Sequence, residues 1–138
     1  MAMKKIRLMI VDDEKLIRQG LKMMLSIYED IEVVSLCENG KEAVDCCKQQ
    51  EVDLVLMDIR MPVCDGVLGT KLIRDEHPEV KVLILTTFKD TGYLQEALKN
   101  GASGYLLKDS TPELIYGGIK AAVEGSIVVH PEVTDLLL

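Results

Sequence analysis

The stretch Glu51-Val-Asp-Leu-Val-Leu-Met-Asp-Ile-Arg-Met-Pro62 decides the fold. Leu54, Val55, Leu56 and Met57 are apolar at successive positions, the pattern of a short strand covered on both faces inside a parallel sheet. Pro62 has no N–H to give a ladder, so the strand stops near Met61 at the latest. Asp58 stands at the edge of this buried run, where a carboxylate is costly to desolvate unless something compensates it. That cost calls for a chemical reason.

Working outward, the same strand-then-helix punctuation recurs. Ile6-Arg-Leu-Met-Ile-Val11 reads as a strand that runs into Asp12-Asp13-Glu14, and Ile17, Leu21, Met24 and Leu25 then follow at helical spacing. Glu32-Val-Val-Ser-Leu-Cys37 is a second strand. Asn39 with Glu42 predicts a capping box, with Ala43, Val44 and Cys47 turned inward and Cys46 more exposed. After Pro62, Asp65-Gly66 opens a helix with Leu68, Leu72 and Ile73 on one side, broken at His77-Pro78. Val80-Lys-Val-Leu-Ile-Leu85 delivers Thr86 and Thr87, and a helix from near Asp90 presents Tyr93, Leu94, Ala97 and Leu98 before Gly101 ends it. Gly104-Tyr-Leu-Leu107 is a short fifth strand ending in Lys108, and Thr111-Pro112 starts a last helix with Leu114, Ile115, Ile119 and Ala122 inward. Five such alternations predict βαβ units, hence an α/β fold with a parallel sheet and helices on both faces.

The bulk numbers narrow the function classes. A chain of 138 residues that is 48% hydrophobic can bury a core of its own as one domain. A net charge of −7 repels a phosphate backbone and argues against direct nucleic-acid binding by this segment. The start, Met1-Ala-Met-Lys-Lys-Ile-Arg, carries too short an apolar run for a signal peptide or a membrane span, which predicts no membrane contact and a cytoplasmic location. Cys37, Cys46, Cys47 and Cys64 lack metal-site spacing and read as reduced thiols.

In an open parallel sheet, ligands sit outside the carboxyl ends of the strands. Asp12 and Asp13, Asp58, Thr86 and Lys108 all stand there. Three carboxylates held together repel one another, so a hard divalent cation, magnesium or manganese, is the expected companion. With it, Asp58 can attack a phosphoryl group while Lys108 and the metal neutralise its oxygens and Thr86 offers a hydroxyl. Lys108 could also simply neutralise the acids, a role compatible with the first. A phosphatase of the haloacid dehalogenase type would want a second aspartate where Arg60 stands, and an FMN carrier would want a Ser/Thr/Gly-rich loop in place of Asp12-Asp13-Glu14.

Val11-Asp-Asp-Glu14, Leu56-Met-Asp-Ile-Arg-Met-Pro62 with Asp65-Gly66, Leu83-Ile-Leu-Thr-Thr87 and Gly101-Ala-Ser-Gly-Tyr-Leu-Leu-Lys108 together resemble the receiver domain of a two-component response regulator. The resemblance implies a flavodoxin-like, doubly wound five-stranded sheet of order 2-1-3-4-5. It implies Asp58 as phosphoacceptor with a sensor histidine kinase as partner, and no catalysis beyond self-phosphorylation and autodephosphorylation. Asp13 would bind the metal directly, Asp12 through water, and Arg60 through its backbone carbonyl. Thr86 and Tyr105 would form the switch, with Tyr105 rotating inward, although an ordinary core aromatic is an equally open reading of that residue. Arg60 and Phe88 fall where the family tunes phosphoryl lifetime. Thr86-Thr-Phe-Lys-Asp90 with Lys108-Asp109 is most similar to the NarL/FixJ subfamily, which carries a helix-turn-helix effector; the resemblance implies transcription regulation, with a homodimer of this chain on phosphorylation as a further expected partner. Asp109 replaces a common proline, without which a cis Lys108–Asp109 peptide would cost about 2.5 to 4 kcal/mol. The expected organisation is a receiver domain over 1–125, then a linker and a cut helix from about Pro131 over 126–138. DNA contact would belong to an effector after Leu138, and a stand-alone regulator acting through protein contacts is the alternative.

Overall fold

The computed structural model describes residues 4–137. The expectations for Met1–Met3 and for Leu138 lie outside that range. Parallel strands β1 (Ile6–Val11), β2 (Ile31–Cys37), β3 (Leu54–Met57), β4 (Lys81–Thr86) and β5 (Gly104–Leu107) alternate with helices α1 (Lys15–Leu25), α2 (Gly40–Gln49), α3 (Gly66–Glu76), α4 (Thr91–Lys99) and α5 (Pro112–Val123). All four residues of β3 are buried, as expected of a central strand. Leu8, Ile10, Leu54, Leu56, Leu83 and Leu106 face α1 and α5 on one side of the sheet. Met9, Val55, Val82 and Ile84 face α2, α3 and α4 on the other.

The expected five strands become six. Val128–Val129 forms β6, giving the order β2-β1-β3-β4-β5-β6, and Pro131–Thr134 forms a one-turn α6. The segment expected to be a linker is therefore part of the sheet. Val128 N–H donates to Ser103 O at 3.0 Å and His130 N–H to Tyr105 O at 2.9 Å, and Val133 is fully buried in the same cluster as Leu94, Ala97 and Tyr105. Gly104 permits this approach, because a Cβ there would lie 2.2 Å from Val128 O.

Local chemistry ends the elements where the sequence predicts. Asn39 Oδ1 accepts from Glu42 N–H at 3.0 Å, and the Glu42 carboxylate reaches back to Glu38 N–H, one residue before the expected partner. Asp65, Asp90 and Thr111 cap α3, α4 and α5. Among the described residues every peptide bond is trans, that of Lys108–Asp109 included, and no helix is long and apolar enough to cross a membrane. One expectation fails on α2: Cys46 and Cys47 are both half-buried. They sit on either side of the fully buried Ala43, inside an apolar stripe wide enough to cover both.

Candidate functional site

Strand register places the polar residues. Val11 pairs with Met57 across β1 and β3, so Asp12 and Asp58 leave the sheet side by side. Thr86 pairs with Leu107 across β4 and β5, which puts Lys108 one step beyond. Strand β5 lies two spacings from β3, about 10 Å, so only a long side chain can span back to the acids. Lys108 does so. Its Nζ lies 2.5 Å from Asp12 Oδ2 and 3.2 Å from Asp58 Oδ2.

Each acid is fixed by backbone donors. Asp12, 1% exposed, accepts at Oδ1 from Glu14 N–H at 2.9 Å, and its own N–H and carbonyl are held by Cys37 O and by the Arg18 guanidinium. Asp58, 6% exposed, donates its N–H to Val11 O and accepts at Oδ1 from Ile59 N–H at 2.9 Å. Gly66 closes the loop behind it: its N–H donates to Ile59 O at 2.7 Å, and a Cβ there would fall 1.8 Å from Asp58 O. Within this loop Val63 adopts φ +71°, a left-handed backbone that costs a β-branched residue of order 1–3 kcal/mol and that the surrounding turn must impose.

Asp13 is exposed, and Asp12, Asp13 and Asp58 each offer an oxygen within 4.8 Å of the others. Burial raises the Asp58 carboxyl above its ordinary value and Asp12 adds to the rise, against the pull of Lys108. Burial works to lower the Lys108 ammonium, but its bond to Asp12 and the charge of Asp58 outweigh that and leave it raised. The result is an anionic rim with one short cationic strut. Oxygens spread over less than 5 Å fit a cation that takes ligands at about 2.0–2.1 Å, so the donor set suits magnesium.

The remaining predicted residues converge on Phe88. Thr86 is fully buried, and its Oγ1 accepts from Phe88 N–H at 3.4 Å. The Tyr105 hydroxyl donates to Phe88 O at 2.6 Å, and burial pushes that phenol up to about 12. The ring expected to rotate inward is already inside, wholly shielded from solvent. Arg60 lays its guanidinium 4.1 Å over the Phe88 ring and donates from Nε to the Tyr93 hydroxyl at 3.1 Å. Tyr93 was legible only as part of the packed side of α4. Its bond to Arg60 depends on how α4 sits beside the loop after β3, which spacing within α4 does not encode.

In this parallel sheet an acid pair, an outlying acid and a reaching lysine share one edge, and residues 8–120 match the response regulator receiver domain. The chain belongs to that family. Similar proteins include the transcriptional regulatory protein LnrK of Bacillus subtilis (strain 168), 47% identical over 133 residues, covering 96% of this chain and 60% of that protein. The transcriptional regulatory protein DegU of Brevibacillus brevis is 39% identical over 97% of this chain and 57% of its own. Among solved structures, the signal receiver domain of NarL from Mycobacterium tuberculosis superimposes with a TM-score of 0.85 at 31% identity, covering 89% of this chain and 99% of that one. The chain thus spans about three fifths of the length of the curated relatives it matches.

Proposed function

We propose that Asp58 is the phosphoacceptor of a cytoplasmic receiver domain, taking a phosphoryl group from the phosphohistidine of a sensor kinase. The observation that carries this reading is the meeting of Asp12, Asp13 and Asp58 within 4.8 Å around a site that Lys108 reaches from two strands away. Asp13, Asp12, Asp58 and the Arg60 carbonyl would hold magnesium, which when bound neutralises charge on the transferring group. An Asp58 oxygen attacks phosphorus, the P–N bond breaks, and the imidazole leaves with its electron pair. Lys108 exchanges its bond to Asp58 for one to a phosphoryl oxygen, and the Thr86 hydroxyl donates to another. Arg60, held on Phe88 and Tyr93, stands where a phosphatase of the haloacid dehalogenase type would need an acid.

Movement of Thr86 draws on Phe88 N–H, and Phe88 O holds the Tyr105 hydroxyl, so occupancy of the rim and the packing of Tyr105 are linked through one residue. Joined to a DNA-binding effector, this change would control transcription, with a phosphorylation-dependent homodimer as one route. Incubation with magnesium and a small acyl phosphate should add one phosphoryl group per chain, detected by intact mass, and Asp58→Asn should abolish it. Equal labelling of that variant would remove Asp58 from the role.

A further inference from the structure

Ser35 and Cys37 lie two residues apart on β2 and share the face that α2 covers. Cys46 of α2 meets both there. Its Sγ is 3.7 Å from Cys37 Sγ and 3.3 Å from Ser35 Oγ, which in turn is 3.6 Å from Cys37 Sγ. Cys37 is buried and Cys46 half-buried, and all four cysteines are free thiols. The rim chemistry uses none of them.

We propose that Cys37 and Cys46 form a dithiol modification site that a small peroxide converts to an intramolecular disulfide. Cys46, the more open of the two, reacts first. Its sulfur attacks the peroxide, an S–O bond forms as the O–O bond breaks, and the departing oxygen leaves as water with the Cys46 proton. Cys37 sulfur then displaces the second oxygen from Cys46. The S–S bond forms, the S–O bond breaks, and a second water carries off the Cys37 proton. Two thiols lose two electrons and hydrogen peroxide gains them. Ser35 Oγ, in contact with both sulfurs, can hydrogen-bond the intermediate.

Geometry selects this pair. An S–S bond is about 2.05 Å long, so the sulfurs close by about 1.7 Å, between an element pair already in contact. Cys47 lies on the other side of Ala43, and Cys64 points its Sγ at Asp65 O. The bridge would staple α2 to the end of β2, where Cys37 O accepts from Asp12 N–H at 3.1 Å, directly behind the acid rim.

The test treats the native chain with stoichiometric hydrogen peroxide, counts free thiols and maps disulfides by peptide mass spectrometry. The expected result is loss of two of the four thiols to a reducible Cys37–Cys46 bridge, retained in Cys47→Ser and absent in Cys46→Ser. Four persisting thiols, a bridge between any other pair or between chains, or Cys46 ending as a sulfinic acid would each overturn the proposal. Mapping the unaltered chain decides the matter even if a variant folds poorly, and phosphorylation plays no part in it.

Discussion

Replacing Lys108 by methionine keeps an unbranched chain of similar length and removes only the strut between Asp12 and Asp58. The two buried acids then face each other with oxygens no more than 4.8 Å apart, a repulsion of about 3.5 kcal/mol at an effective dielectric of about 20. Removing one partner of a buried ion pair costs about 3–5 kcal/mol in general, so Lys108→Met should lose about 3 kcal/mol at pH 7 in chelator. That is a large share of the roughly 5–15 kcal/mol that holds a domain of this kind together. Two conditions should restore it. Magnesium supplies the missing charge, so the deficit shrinks at saturating metal. Acid protonates the Asp58 carboxyl, which burial already raises, so the deficit also shrinks as pH falls. On the alkaline side, the raised ammonium of the parent contributes fully below its unfolded value and loses that contribution as pH rises through its folded value. Urea unfolding followed by far-ultraviolet circular dichroism, with and without magnesium, reads all of this. A variant as stable as its parent in chelator, or a deficit indifferent to magnesium and to acid, would refute the electrostatic account of the rim.

Gly104→Ala should expel β6 while leaving the other five strands intact, because the added Cβ meets Val128 O at 2.2 Å. Hydrogen exchange at Val128 and His130 should rise to that of an open chain, and retained protection would show that the strand does not depend on that gap. Asp30 accepts from Tyr116 Oη at 2.8 and 2.7 Å and from Lys120 Nζ at 2.6 Å, which together hold its carboxyl below the ordinary range despite burial. Its stabilisation is present above the unfolded value and lost as pH falls through the folded one, so Asp30→Asn should be less stable than the parent at pH 7, and the gap should close below about pH 4. Thermal melts across that range measure it, and a constant gap would mean that shape alone matters there.

The rim was legible because strand ends are marked twice, by the last buried apolar residue and by the first polar one. Asp12, Asp58, Thr86 and Lys108 each carry that double mark; parallel pairing sets Asp12 beside Asp58, and the long Lys108 side chain reaches both, while Thr86 is held at Phe88. Strand β6 carries neither. Val128–Val129 has too few residues to show a period, and its place follows from a missing Cβ on Gly104 and a pocket for Val133, both properties of the assembled fold. The orientation of Cys46 escaped for a related reason, since its partners Ser35 and Cys37 lie on another element. The inward ring of Tyr105 is likewise fixed from outside its strand, by Phe88 O.

The added strand also governs how the sheet ends. Without it, β5 would offer a four-residue ladder of unpaired backbone groups, apolar on both faces, to any passing extended chain. With it, the outermost ladder is two residues long and is followed by Pro131, which has no N–H to share. At the opposite border, β2 shifts register against β1 between Leu8 and Met9 and carries an exposed Glu32. Both borders are therefore poor templates, and the same short segment that touches Tyr105 also keeps the sheet from recruiting a neighbour's strand.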